Sequence, residues 1–129
     1  MPVALVAGDI AAVPESVGLL RGTIGAFAGA HGADAHVMGD IHLAVSETVG
    51  NVVRHAYDEG EDGLVHFAAD VEDDSLEIVI SDDGGGFRSG ESDGLGLGLG
   101  MVAGVCADFS IRQREPRGTE VWLRFMLDA

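Results

Sequence analysis

An α+β layer fold follows from three features of the sequence. Two segments of helical spacing, at 15–30 and 34–57, are grouped ahead of the main strands. Two alternating segments, LVHFAADVE (64–72) and SLEIVIS (75–81), are parted only by Asp73 and Asp74, which marks an antiparallel hairpin. A third alternating segment covers Thr119–Leu127, with Val121, Leu123, Phe125 and Leu127 on one side. Helices grouped before antiparallel strands build packed layers rather than a doubly wound parallel sheet. The 129 residues read as one domain, 1–129, and a 47% apolar content suffices for a single core.

The elements follow in order. Residues 3–6 (VALV) predict a short opening strand. Pro14 sits where a helix begins, a place at which its missing N–H costs nothing. Val17, Leu20, Ile24 and Phe27 then recur at helical spacing, predicting a helix over 15–30 that stops near Gly32. It carries Gly18, Gly22, Gly25 and Gly29, weak helix formers, so it must rely on tertiary packing. Asp34 is placed to cap a second helix that runs to about Tyr57. There the apolar Ile41, Ala44, Val45, Val49, Val52, Val53 and Ala56 surround a narrow polar stripe of Glu47, Asn51 and His55. These three lie at i, i+4 and i+8, hence on one face, and spacing alone reads them as the wet side of a surface helix.

YDEGEDG (57–63) reads as an exposed acidic turn. From Gly84 to Gly104 there are nine glycines in 21 residues, too many for a regular element throughout. The run SDGLGLGLGMV (92–102) has the period of a strand, yet alternate glycines pack nothing and are entropically costly to fix. It is better read as a hinge leading into a helix that starts around MVAGVCAD (101–108). Asp108–Arg114 is a weak strand, and 115–118 is a turn into the last one. The predicted order is β-α-α-β-β-(glycine loop, helix)-β-β.

Charge narrows the function. Twenty-two acidic residues face seven basic ones, all arginine, for a net charge of −15. Without lysine there is no Walker A lysine and no Schiff-base chemistry. No basic stripe exists to neutralise phosphates, so nucleic acid is not an expected partner. No run approaches the length of a membrane span and no basic-plus-apolar leader is seen, so a cytoplasmic protein without membrane contact is expected. Cys106 stands alone, without a disulfide partner or metal-type spacing. The acidic surplus reads as a solvated surface, or as attraction for a basic partner or a divalent cation.

Three features carry chemistry together: the Glu47/Asn51 stripe, DDGGGF (82–87) at a strand end, and the Gly/Leu run. Their order and spacing resemble the GHKL, or Bergerat, ATPase superfamily. ETVGN (47–51) is similar to its N box, and Asp82-Asp83-Gly84-Gly85-Gly86-Phe87 to its Asp-x-Gly-x-Gly box. Gly94–Gly100 resembles the second glycine box, and Gly118-Thr119 the Gly-Thr that enters the last strand. The wider context AVSETVGNVVRHAY looks most like the small anti-sigma-factor serine kinases. The resemblance extends from about Pro14 to Leu127.

That resemblance implies a two-layer α/β sandwich with a mixed, mostly antiparallel sheet and helices on one face. It implies ATP and Mg²⁺ as cofactors, with Asn51 as metal ligand and Glu47 as catalytic base. Asp82 would accept from the exocyclic amine of adenine, where guanine presents a carbonyl, so ATP is expected over GTP. Gly84 and Gly86 would allow close approach to the base, Thr119 would support Asp82, and His55 would line the phosphate side. Gly96, Gly98 and Gly100 are candidates for phosphate contact, and Leu99 and Met101 for the pocket wall. The repeat leaves three glycine pairs open within 94–100, with Gly96 and Gly98 favoured. The partners implied are an anti-sigma-factor antagonist of the STAS type, which would be the substrate, and a sigma factor, with a homodimer expected. The alternative is a regulatory module that binds ATP without transferring its phosphate. Gly98-x-Gly100-x-x-Ala103 also satisfies a loose dinucleotide fingerprint, but no βαβ unit surrounds it.

Overall fold

A computed structural model describes residues 4–85 and 92–127, with side chains from residue 98 onward in the last helix. Strand β1 (Ala4–Ala11) is followed by helices α1 (Glu15–Ala30) and α2 (Ala35–Asn51), and α2 continues into a π-helical turn (Val52–Ala56). Then come β2 (Leu64–Glu72), β3 (Ser75–Asp82), α3 (Ser92–Val105), β4 (Asp108–Gln113) and β5 (Thr119–Met126). The five strands lie in the order β1-β2-β3-β5-β4. All four pairings are antiparallel, so the mostly antiparallel sheet of the expectation has no parallel pair among the described residues.

Alternation decides which face is buried. The hairpin register pairs Val65 with Asp82 and Val71 with Leu76, which sets Val65, Ala69, Val71, Leu76, Ile78 and Ile80 on one face. Val121, Leu123 and Phe125 of β5 join them against Leu20 and Ile24 of α1, Ile41, Val45 and Val49 of α2, and Val102 of α3. The other face of the sheet carries Asp9, His66, Glu77, Trp122 and Arg124, with Trp122 Nε1 donating to Glu77 Oε1 at 3.0 Å. Helices cover one face only, as expected for two layers. Among the described residues no helix is long and apolar enough to cross a membrane.

The capping prediction holds: Asp34 Oδ1 accepts from the Val37 amide at 2.9 Å. Three other expectations change. The opening strand runs on to Ala11 through Gly8 and Asp9, residues of low strand propensity, because β2 supplies a full ladder and the Phe67 ring lies beside Gly8. The second helix is α-helical only to Asn51, and its last five residues form the π turn. His55 lies in that turn and is exposed. The Gly/Leu run is not a hinge ahead of a helix, since α3 begins at Ser92 and contains it. Packing against α2 and burial of Leu99 and Val102 offset the weak helix propensity of its glycines.

Candidate functional site

The predicted N box sits on the last turns of α2. Asn51 is 2% exposed, so at this position the stripe is not the wet side of a helix. Its Oδ1 accepts from Arg54 Nη2 at 3.0 Å, while its Nδ2 is buried without a hydrogen-bond partner among the described residues. One turn earlier, Glu47 is half-buried and its carboxylate lies against the backbone of Gly98 on α3. A Cβ at Gly98 would stand 2.6 Å from Glu47 Oε2. Gly98→Ala is therefore expected to push the flexible Glu47 carboxylate aside without unfolding the chain. The thermal midpoint should stay within about 3 °C, while any reaction that uses this carboxylate slows by at least about tenfold.

A second cluster forms where β3 ends. Asp82 pairs with Thr119 across β3 and β5, and the two are 2% and 3% exposed. Asp82 Oδ1 accepts from the Gly84 amide at 2.9 Å. Burial pushes the Asp82 carboxyl above the usual carboxylate range, and the Gly84 and Thr119 amides oppose that shift. Thr119 Oγ1 is buried with no partner among the described residues. Buried polar atoms are nearly always satisfied, so Asn51 Nδ2 and Thr119 Oγ1 each have capacity for a water or a ligand atom as partner. Thr48 Oγ1 is in the same condition, and nothing in the structure ties it to this site.

Backbone approach explains two glycines. A Cβ at Gly84 would lie 1.8 Å from the Ala56 carbonyl oxygen, which already accepts from Gly85 N at 2.9 Å. Gly118 has φ +113°, and its Cβ would lie 2.0 Å from the Asp82 carbonyl oxygen. Neither oxygen can move, since each belongs to a held backbone. Gly118→Ala is expected to destabilise by about 1–3 kcal/mol from backbone strain alone, and a thermal melt measures it.

The structure thus brings Glu47, Asn51 and Gly98 together on α2 and α3, and Asp82, Gly84 and Thr119 together on β3 and β5. The π turn links the two groups through Ala56. His55 is exposed and has no hydrogen-bond partner among the described residues. Residues two apart on a helix point to opposite sides, so Leu99 and Met101 do not share a wall. Leu99 is 7% exposed and enters the core, whereas Met101 is 49% exposed. A Cβ at Gly100 would meet nothing within 4 Å. Gly86 lies outside the described residues, as do the surroundings of Gly96.

Several site residues were not singled out from sequence. Tyr57 Oη accepts from the Asp83 amide at 2.9 Å and donates to the Leu64 carbonyl at 2.6 Å. Arg114 Nη1 donates to Asp82 O at 3.2 Å and to Asp83 Oδ1 at 2.8 Å. Arg117 Nε donates to Gly84 O at 3.0 Å. One signal was available for the arginines. Two of the seven arginines, Arg114 and Arg117, fall in the short segment REPRG (114–118), directly ahead of Thr119.

Comparison with known proteins agrees with this fold. The family model for the histidine kinase-like ATPase domain matches residues 10–125. Relatives include a protein named serine-protein kinase RsbW from Bacillus pumilus, 41% identical over 85 residues, which are 64% of this chain and 52% of that one. The protein of the same name from Bacillus subtilis is 37% identical over 78 residues, 60% of this chain and 49% of the relative. An anti-sigma F factor from Shouchella clausii is 25% identical over 128 residues, 90% of this chain and 88% of the relative. The chain spans about half the length of the RsbW relatives it matches. A crystal structure of the RsbU and RsbW domains of a Mycobacterium tuberculosis protein shares the fold, with a TM-score of 0.73 at 24% identity over 98% of this chain and 33% of that one. With its fold, its ordered motifs and a match that runs from the last two residues of β1 to the penultimate residue of β5, the chain belongs to the histidine kinase-like ATPase domain family.

Proposed function

We propose that the protein is a Mg²⁺- and ATP-dependent serine kinase of the anti-sigma-factor type. Its substrate would be a serine of a STAS-type anti-sigma-factor antagonist, and it would also sequester a sigma factor, as a homodimer in the cytoplasm. The single observation that carries this reading is the half-buried Glu47 carboxylate, one turn before buried Asn51 and against Gly98. A pure binding module has no need of a carboxylate there. The names of the relatives, serine-protein kinase and anti-sigma F factor, support the same reading.

The residues divide the work. Asp82 accepts from the adenine amine, and Thr119 Oγ1 gains the partner it lacks in the free protein. Asn51 offers an amide oxygen, a hard ligand suited to a Mg²⁺ ion that keeps several of its waters. Asn51 Oδ1 accepts from the Arg54 guanidinium in the ligand-free protein, so that bond would yield or share the oxygen when a metal binds. The bound ion would offset phosphate charge, a need sharpened by a protein at −15. Glu47 accepts the proton of the attacking serine hydroxyl. Positioning and charge neutralisation carry most of such a transfer.

The test is incubation with labelled ATP and candidate antagonist proteins. Labelled phosphoserine on an antagonist is the expected result. Binding of ATP without transfer to any candidate would leave the regulatory module as the function. Asn51→Ala is expected to lower ATP affinity in Mg²⁺ under either reading, by about tenfold or more, and calorimetry measures it.

A further inference from the structure

The turn that holds Asp82 is fastened from the face of the sheet that no helix covers. Four charged side chains cross that face in a row. Asp9 Oδ1 of β1 meets His66 Nδ1 of β2 at 2.6 Å. The other ring nitrogen, Nε2, meets Asp83 Oδ2 at the end of β3. Asp83 Oδ1 accepts from Arg114 Nη1 at 2.8 Å, and the same nitrogen donates to the Asp82 carbonyl at 3.2 Å. A continuous chain of polar contacts therefore joins an edge strand to the backbone of the residue assigned to adenine.

We infer that Asp9, His66, Asp83 and Arg114 form a positioning unit that holds the Asp82–Gly85 turn in its base-binding geometry. The inference rests on the assignment of Asp82 to adenine. Both ring nitrogens of His66 face carboxylate oxygens, which only accept, so this arrangement requires both to be donors and the ring to be an imidazolium. In that state two negative and two positive charges balance along the row. Loss of the proton leaves a net −1 and converts one donor into an acceptor facing an acceptor. The contact to Asp83 or to Asp9 must then open, and Arg114 is left to hold the turn without it.

Nothing else charged faces His66 among the described residues. Its cross-strand partner on β3 is Ser81, its neighbours on the same face of β2 are Leu64 and Ala68, and Arg114 reaches it only through Asp83. Asp83 first, then Asp9, hold the His66 pKa above its ordinary value, against a smaller effect of burial. Asp83 is correspondingly held below the usual carboxylate range, chiefly by its bond to His66. Because the folded pKa of His66 is raised, its contribution is complete below the ordinary value and disappears as pH rises through the raised one. Base binding should weaken in the same window.

Calorimetric affinities for ATP with saturating Mg²⁺, from about pH 6 to about pH 8.5, test this in the parent, His66→Gln and Asp9→Asn. Titration of the nucleotide itself is common to all three and cancels in the comparison. Parent affinity is expected to fall by about 3- to 10-fold on the alkaline side relative to His66→Gln, whose profile there should be flat. Asp9→Asn, which touches the turn only through His66, should move the alkaline limb to lower pH. Parallel profiles in all three proteins would overturn the positioning unit while leaving the adenine assignment intact. A parent that binds no adenine nucleotide at any pH would overturn both.

Discussion

Glu47→Gln is expected to lower phosphoryl transfer by about 10²–10⁴-fold while leaving ATP affinity within about twofold. The substitution preserves shape and removes only the ability to take a proton. Glu47 has no hydrogen-bond partner among the described residues that the change would break, and its carboxylate lies against the Gly98 backbone rather than in the apolar core. The fold should therefore be indifferent to it. Asn51 Oδ1, the proposed metal ligand, is held by Arg54 rather than by Glu47, so nucleotide binding should also survive. Single-turnover transfer and calorimetric binding, measured on the same preparation, separate the two quantities. Equal losses in both would show that Glu47 binds rather than catalyses, which removes the kinase reading.

Asp82→Asn is expected to weaken ATP by about 10- to 100-fold and to erase the preference over GTP. The asparagine oxygen can keep the bond from the Gly84 amide, now made at 2.9 Å, so the turn survives. Its NH₂ group then faces the adenine amine, donor against donor. Stability should move the other way. Burial raises the Asp82 pKa, so the folded state disfavours the ionised carboxylate near neutrality. A raised folded pKa means that stability associated with this group is present at low pH and is lost as pH rises through it. Removing the buried charge should leave the melting temperature of the ligand-free protein at neutral pH unchanged or higher. A variant that binds worse yet melts no lower would mark Asp82 as a residue kept for its ligand. In the parent, acidification through the raised pKa should weaken ATP binding as well, and that acidic limb should be absent from Asp82→Asn.

Local chemistry was legible wherever neighbours in sequence are neighbours in space. Asp34 caps α2 because the amide it serves is three residues away. The hairpin at 73–74 follows from two alternating runs with no room for anything but a turn. Glu47 and Asn51 share a face because α-helical spacing persists to Asn51. His55 is exposed in the π turn that starts at the residue after Asn51, and no pattern in VVRHA announces that turn. The Gly/Leu run misled as a hinge because propensity counts its glycines and cannot see the surface of α2 that receives them.

The sequence by itself determined the order of elements, the apolar faces of β2, β3 and β5, and the pair of motif clusters proposed to carry the chemistry. Periodicity and motif spacing are local properties, and they survive without knowledge of the fold. Only the tertiary structure decided that Asn51 and Thr119 are buried with unsatisfied atoms and that Gly84 is forced by the Ala56 carbonyl. It alone showed that Arg114, Arg117, Tyr57 and His66 converge on one turn. These contacts join residues up to 33 positions apart, set by sheet register and by the packing of the π turn against β3. Such distances are properties of packing, and no run of neighbouring residues encodes them.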